Sequence, residues 1–332
     1  MKTTGRMVRR RIGVIGCAAA VAAFVVPTVA NAQDPAFPHK PIRMIVGFSA
    51  GGSTDVIARS LAARMSTMVK QQVIVDNRPG ADSLIGTQLV AKAEPDGYTI
   101  LVASGSHSIN ASLYPDSKVD PVRDFEAITL IGDAANFLVV NPNVAAKSVE
   151  ELIAMAKKSP GTLNYASSAS TTFLATELFK SMAGIDMTQV PYKGSGPAVP
   201  ALIGGEVQVA ITSIITMLPH VQSGRARALA VTGQRRSALA PEVPTVTEKA
   251  VPGYVASTWY GVFAPAGTPP AIVRYLNTTL HAVMEDPKVR TQLEGQGVDI
   301  TPNSPEAFTD FVRKDQEKWA AVVKSSGAAK PK

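Results

Sequence analysis

Apolar runs of strand length alternate along this chain with longer segments whose apolar positions recur every three to four residues, from about residue 42 to residue 325. That alternation predicts βα units feeding mainly parallel sheets flanked by helices. Ile42 to Phe48 reads as a strand, Ser53 to Val69 as a helix and Gln72 to Asp76 as a second strand, followed by a turn at Asn77-Arg78-Pro79-Gly80. A helix from Leu84 to Ala93 stops at Pro95-Asp96-Gly97, and Tyr98 to Ala103 is the next strand, ending in the polar tip Ser104-Gly105-Ser106-His107.

Phe125 to Val140 holds two apolar runs separated by Gly132-Asp133 and ends at Asn141-Pro142, so it is the expected crossing into a second domain. There the pattern predicts helices at Val149 to Lys158, Thr172 to Ala183 and Pro197 to Ile203, with strands at Thr162 to Ala166, Gln189 to Tyr192 and Val207 to Thr212. Ala226 to Thr232 is the expected return crossing. One more strand follows at Trp259 to Pro265, then helices at Ala271 to Met284, Pro287 to Glu294 and Pro305 to Ser325 that should cover the first domain. The expected division is 33–136 with 235–332 in one lobe and 137–234 in the other, two crossing segments serving as a hinge. Gly327 to Lys332 is expected to be unstructured.

The residues between the first strand and its helix carry the first chemical signal. Phe48-Ser49-Ala50-Gly51-Gly52-Ser53-Thr54-Asp55 places bare backbone amides at a helix start beyond a strand tip. Glycines let a ligand approach the backbone, and the unpaired N–H groups of a first helical turn favour a carboxylate or phosphate. Asp55 has an ordinary role here too, as an acid in the first turn of a helix. Phe48 either packs at the strand end or covers the ligand. In the second domain, Ser167-Ser168-Ala169-Ser170-Thr171-Thr172 leads into a helix in the same way, with hydroxyls in place of glycines. Capping alone would account for these hydroxyls, and their pairing with the first loop favours a shared ligand. The candidate ligand-binding set is completed by Ser104, Ser106 and His107 at one strand tip and Thr212 and Ser213 at another. Arg78 and Lys193 are the basic side chains in turns near these loops, and turn arginines are more often structural partners than clamps.

The beginning of the chain changes the picture of charge and compartment. A basic stretch (Lys2, Arg6, Arg9, Arg10, Arg11) runs into an apolar segment from Ile12 to Val26 and then Ala30-Asn31-Ala32, the pattern of a signal peptide cleaved after Ala32. Cys17 sits too early in the apolar run for a lipidation site, and the arginines leave the general and twin-arginine export routes both open. Of the 33 basic residues five lie in this leader, which leaves 28 against 26 acidic ones in a nearly neutral mature chain. Nucleic acid is therefore not an expected partner. The one cysteine also lies in the leader. The mature chain then has no disulfide or thiolate metal site, and about 300 residues is comfortable for two domains.

Catalytic patterns are missing. His39, His107, His220 and His281 stand in separate elements without metal-ligand spacing, Gly194-Ser195-Gly196 does not form a nucleophile elbow, and the glycine loop matches neither nucleotide-binding pattern. No catalytic residue, metal or cofactor is expected.

Seven short motifs occur in order over nearly the whole mature chain: Gly51-Gly52-Ser53-Thr54-Asp55, Asn77-Arg78-Pro79-Gly80-Ala81, Pro95-Asp96-Gly97-Tyr98-Thr99, Val190-Pro191-Tyr192-Lys193-Gly194, Ala228-Leu229-Ala230-Val231-Thr232, Pro244-Thr245 and Ala264-Pro265-Ala266-Gly267-Thr268-Pro269. In this set the chain resembles the Bug proteins, the TctC-like periplasmic receptors of tripartite tricarboxylate transporters. The resemblance implies a two-lobed, type II-like periplasmic binding protein, a monomer that closes on a small carboxylate. Inner-membrane transporter subunits, or in orphan members a membrane sensor, would be its partners, and a secreted hydrolase or lyase is the weaker alternative. Many relatives have a longer loop ending in histidine where this chain has Ser167 to Phe173, and an acid near the end of the strand that here reads Val209 to Ser213. If that acid helps hold a cationic group in the relatives, the resemblance implies that amino-acid ligands are disfavoured here, and Phe173 in the histidine's place implies a more apolar ligand.

Overall fold

The computed structural model describes residues 1–3, 5 and 37–326. Apart from residues 1–3 and 5, the expected leader with its cleavage after Ala32 lies outside the described residues, as does the expected tail from Gly327 to Lys332. The described residues 37–326 make up one compact unit.

The chain begins as expected, with β1 (Ile42–Val46), α1 (Ser53–Val69), β2 (Val73–Asn77), α2 (Leu84–Ala91), β3 (Thr99–Ser104) and α3 (Ser106–Leu113). The 16-residue β4 (Phe125–Val140) follows. Next come α4 (Val149–Lys158), β5 (Asn164–Ser167), α5 (Ser170–Ala183), β6 (Thr188–Pro191), α6 (Ser195–Gly204), β7 (Val209–Ser213), α7 (Ile214–Gln222) and β8 (Arg227–Val231). The chain ends with α8 (Val246–Lys249), β9 (Ser257–Pro265), α9 (Pro270–Glu285), α10 (Pro287–Glu294), β10 (Val298–Ile300) and α11 (Pro305–Ser326).

The strands are ordered β2-β1-β3-β9-β4-β7-β5-β6, with β8 and β10 also beside β4. Pairing is parallel at both ends, where helices connect successive strands. It is antiparallel in the middle, around β4 and β9. β4 is the axis of the molecule: residues 125–135 lie beside β9 and residues 136–140 lie between β7 and β8. It can run this far because nearly every position is covered on both faces, with Ile128, Ile131, Phe137, Leu138, Val139 and Val140 fully buried. The Gly132-Asp133 break in its apolar pattern coincides with a register shift, and Gly132 sits at φ 153°, where a side chain would strike Asp299.

The return between the halves differs from expectation. β8 stays beside the last residues of β4, the chain leaves the sheet after Thr232, and only β9 completes the return. Entry and exit of this excursion meet: Thr232 N–H donates to Asn136 O (2.9 Å) and Ala256 N–H to Thr232 O (2.8 Å). The excursion itself packs with the later half, across the expected boundary at residue 234. Val246, Val251 and Tyr254 join the apolar cluster of Leu138, Phe179 and Val209, and the Tyr254 hydroxyl donates to Ala175 O at 2.9 Å.

Candidate functional site

Four helix N-termini converge on one cleft, and each is shaped by local sequence. At α1, Gly51 takes φ 76°, a left-handed conformation that glycine adopts without strain, and Gly52 stands at the N-cap with no side chain. Asp55 braces this loop from within: Oδ2 accepts the Gly51 N–H at 2.8 Å, Oδ1 accepts Asn77 Nδ2 at 2.9 Å, and the Arg59 guanidinium pairs with it. Burial alone would raise the Asp55 carboxyl, but the bonds from Arg59, Gly51 and Asn77 outweigh it and hold the group below the usual carboxylate range. The helix keeps its acid behind the loop, which leaves the first amides of α1 to face the cleft.

At α5, Thr172 Oγ1 accepts the N–H groups of Ser168 (3.2 Å) and Ala169 (3.1 Å), so part of the hydroxyl loop is a cap. At α6 the N-cap is Gly194, at φ 127°. At α7, Ser213 Oγ accepts the Ile215 N–H. Residues from all four ends line the cleft: Gly52, Ser53 and Thr54, then Ser168, Ala169, Thr171 and Thr172, then Gly194 and Ser195, then Ser213. Phe48, Ser104, Asn136, Thr258 and Tyr260 complete it. No charged side chain is among these lining residues. The first-turn amides of a helix have no partner in their own helix, and each such end carries about half a positive charge. The cleft thus has the electrostatics of an anion site without a cationic side chain, and its free space is only about 20 Å3.

The two walls already touch. Ser49 Oγ donates to Lys193 O at 3.0 Å, and a Cβ on Gly196 would lie 2.8 Å from Ala50 O. This is a closed arrangement, in which the α1 and α6 ends meet over the cleft.

Of the residues singled out in the sequence, Phe48, Gly52, Ser53, Thr54, Ser104, Ser168, Ala169, Thr171, Thr172 and Ser213 are brought together here. The others are placed elsewhere. Ala50 and Gly51 form the loop behind the α1 end, and Asp55 braces it. Ser167 and Ser170 face a neighbouring chamber. Ser106 and Thr212 are buried beside the cleft, each with a hydroxyl that has no hydrogen-bond partner. Phe173 is packed in the core with Leu174 and Phe179 instead of lining the cleft, so it does not set the polarity of the ligand site. Arg78 pairs with Asp76. The sequence reading missed Asn136, Gly194, Ser195, Thr258 and Tyr260. Asn136 and Thr258 sit where β4 and β9 meet, and the fully buried Tyr260 places its hydroxyl 3.5 Å from Ser213 Oγ.

His107 is not in the cleft. It lies between the rings of Phe125 (4.8 Å) and Phe263 (4.4 Å), with Nε2 3.1 Å from Pro121 O. Burial lowers its pKa from 6.5 to about 4, against the smaller opposing effects of the Pro121 bond and the Asp120 charge. Because the folded-state value is depressed, the unfolded chain takes up the proton first. The associated stability is complete above pH 6.5 and is lost as the pH falls towards 4. That loss is expected to be about 3 kcal/mol. Urea unfolding at pH 7 and pH 4 should show it, and His107→Phe should remove that part; an identical acid loss in the variant would refute the assignment.

A mixed sheet flanked by helices, with a polar, amide-lined cleft between closely opposed walls, defines a two-lobed periplasmic binding protein. Residues 57–328 match the tripartite tricarboxylate transporter family receptor, TctC, and the chain belongs to that family. It is 38% identical to Protein BugT of Bordetella pertussis over 323 residues, covering 96% of this chain and 98% of that protein. Among solved structures, it is similar to R. palustris Rpa4515 with adipate (TM-score 0.86, 36% identity, 88% of this chain and 99% of that one). It is also similar to the periplasmic binding protein BugD (TM-score 0.85, 32% identity, 88% and 99%). The chain is thus a periplasmic solute-binding receptor and not an enzyme.

Proposed function

We propose that this receptor captures a small organic acid, with the carboxylate in the cleft accepting hydrogen bonds from the amides and hydroxyls of α1, α5 and α6, and hands it to the inner-membrane subunits of a tripartite tricarboxylate-type transporter. The convergence of helix N-termini in a cleft lined by no charged side chain carries this reading. The adipate in Rpa4515, a structure covered almost completely by this chain, supports it. In this reading two lobes, the second of which includes the excursion between β8 and β9, move about β4 and the β8–β9 return, and the protein works as a monomer without a cofactor after export and cleavage following Ala32. Charge-assisted hydrogen bonds contribute roughly 1.5 to 3 kcal/mol each, so a few acting together support micromolar capture at about −8 kcal/mol after the cost of closure.

A thermal-shift panel of mono-, hydroxy-, amino- and dicarboxylates, each beside its primary amide, tests the reading. At least one acid should raise the melting temperature while its amide does not, because a ligand at a hundred times its dissociation constant adds about 2.7 kcal/mol. Equal shifts from acids and amides, or no shift from any acid, would overturn it.

A further inference from the structure

The free space at the helix N-termini, about 20 Å3, is enough for a carboxylate group and little more. Two larger spaces border it. One, of about 270 Å3, meets the cleft only at Thr171 and has Asp133, Asp315 and Lys318 in its wall. The other, of about 420 Å3, shares Phe48, Ser168 and Ala169 with the cleft, so it lies against it at both the β1 tip and the α5 start.

This larger chamber is walled by Phe48, Tyr114 and Tyr192, by Pro191, and by bare backbone at Gly47 and Gly80. Much of its polar lining is already used within the wall. The Ser168 and Ala169 N–H groups donate to Thr172 Oγ1, and Ser167 O accepts the Tyr192 N–H at 2.7 Å. Asp82 is turned into the wall: Oδ2 accepts the Ser170 N–H at 2.9 Å, side-chain bonds from Ser170 and Asn110 reach the same carboxyl, and Oδ1 is buried. Burial pushes this carboxyl up to about 6, so at pH 7.5 it is an anion behind the wall and opposes a second one in the chamber. Lys193, the cation among the lining residues, is exposed, where water screens its charge. A polar tail entering here would give up water for few new hydrogen bonds, whereas an apolar tail gains from burial against the aromatic side chains. A cavity of about 150 Å3 holds a benzene ring, so there is room for one.

On the reading of the cleft as a carboxylate site, we propose that the ligand is a monocarboxylate with an apolar aryl or alkyl tail, and that the tail lies in the chamber against Tyr114 and Tyr192. Tyr192 then sets specificity for the tail, held in place where the walls meet because the carbonyl of the next residue, Lys193, accepts the Ser49 hydroxyl. Such a ligand differs from the adipate of Rpa4515, which carries a second carboxylate.

Calorimetry at pH 7.5 tests this with hexanoate, octanoate, 3-phenylpropanoate and 4-phenylbutanoate, set against propanoate and against the diacids adipate and octanedioate. The best tailed monoacid should bind at least tenfold more tightly than propanoate and than either diacid. Tyr192→Ala should shrink the advantage over propanoate at least fivefold, and Tyr192→Phe, which keeps the ring, should preserve it. A ratio within one protein cancels any general effect of a substitution on closure. An advantage below tenfold in the wild type, or one unchanged in Tyr192→Ala or lost equally in Tyr192→Phe, would overturn the inference while leaving the carboxylate reading in place. Should none of these acids bind, while another acid in the thermal-shift panel does, the inference alone falls; should no acid bind at all, both fall. If Tyr192→Ala does not fold, the wild-type ratios still decide.

Discussion

Gly196→Val is expected to weaken ligand binding at least a hundredfold while leaving the melting temperature within a few degrees of the wild type. Gly196 is the second residue of α6, and a Cβ there would lie 2.8 Å from Ala50 O, a backbone atom that cannot swing aside. The same junction is tied by Ser49, whose hydroxyl and amide both donate to Lys193 O. A valine would hold the α1 and α6 ends apart, so that their amides no longer converge on one anion. A hundredfold loss corresponds to about 2.7 kcal/mol, less than two charge-assisted hydrogen bonds at their upper strength. Stability should hardly change, because valine is no worse than glycine inside a helix. Calorimetry with the best acid from the thermal-shift panel, alongside a thermal melt, measures both. An unchanged dissociation constant would show that binding does not need the walls this close. Gly52→Leu is a companion, since its side chain would enter the cleft directly and should also abolish binding.

The largest effect on stability is expected from Phe308→Ala, at about 3 to 5 kcal/mol. Phe308 is fully buried on α11, with its ring 4.8 Å from Phe263 and 5.8 Å from Trp259. It fits only because position 261 of β9 is glycine, since a Cβ there would overlap the Phe308 ring. Gly261→Val should therefore also be destabilising, through overpacking. The two changes touch the same volume, so the double variant should lose measurably less than the sum of the single losses in urea unfolding. Strict additivity would refute the shared-volume argument. The pair also explains how a helix so late in the chain becomes part of the central sheet's packing, since it closes over the strand that runs beside the axis β4.

Much of this was legible in the sequence where the signal is local. The bounds of α1, β4 and α4 follow from the apolar pattern, from the glycines before Ser53 and from the break at Gly132-Asp133. The glycine and hydroxyl loops were readable as helix starts because capping chemistry sits beside the backbone it caps. Where the signal was weak or misleading, elements were missed. The α7 stretch Ile214-Ile215-Thr216 is β-branched and continues the apolar run of β7, and Pro219 sits inside the helix. Gly194-Ser195-Gly196 reads as a loop, although its glycines form the third amide wall. Asn136, Thr258 and Tyr260 reach the cleft only through long-range pairing, Asn136 opposite Ser213 and Thr258 opposite Ala134, which no local pattern encodes. The antiparallel middle of the sheet was hidden for the same reason: strand direction depends on the route of the chain and not on the strand's own residues. Phe173 was misjudged because a position in a motif does not reveal which face of a helix a side chain occupies.

Thr232 and Ala256 meet on the same rung beside Asn136, so the two dozen residues between them leave and rejoin the ladder at a single point. Midway the detour touches the sheet again, where Val231 N–H donates to Pro244 O (2.8 Å) and Thr245 bridges Val231, so the part free of the ladder is the exposed run 234–236. Added residues there would not alter the spacing of the strands, and doubling the length of such a loop costs only about 0.6 kcal/mol in closure entropy. It is the natural place to graft a reporter without disturbing the grip on the guest.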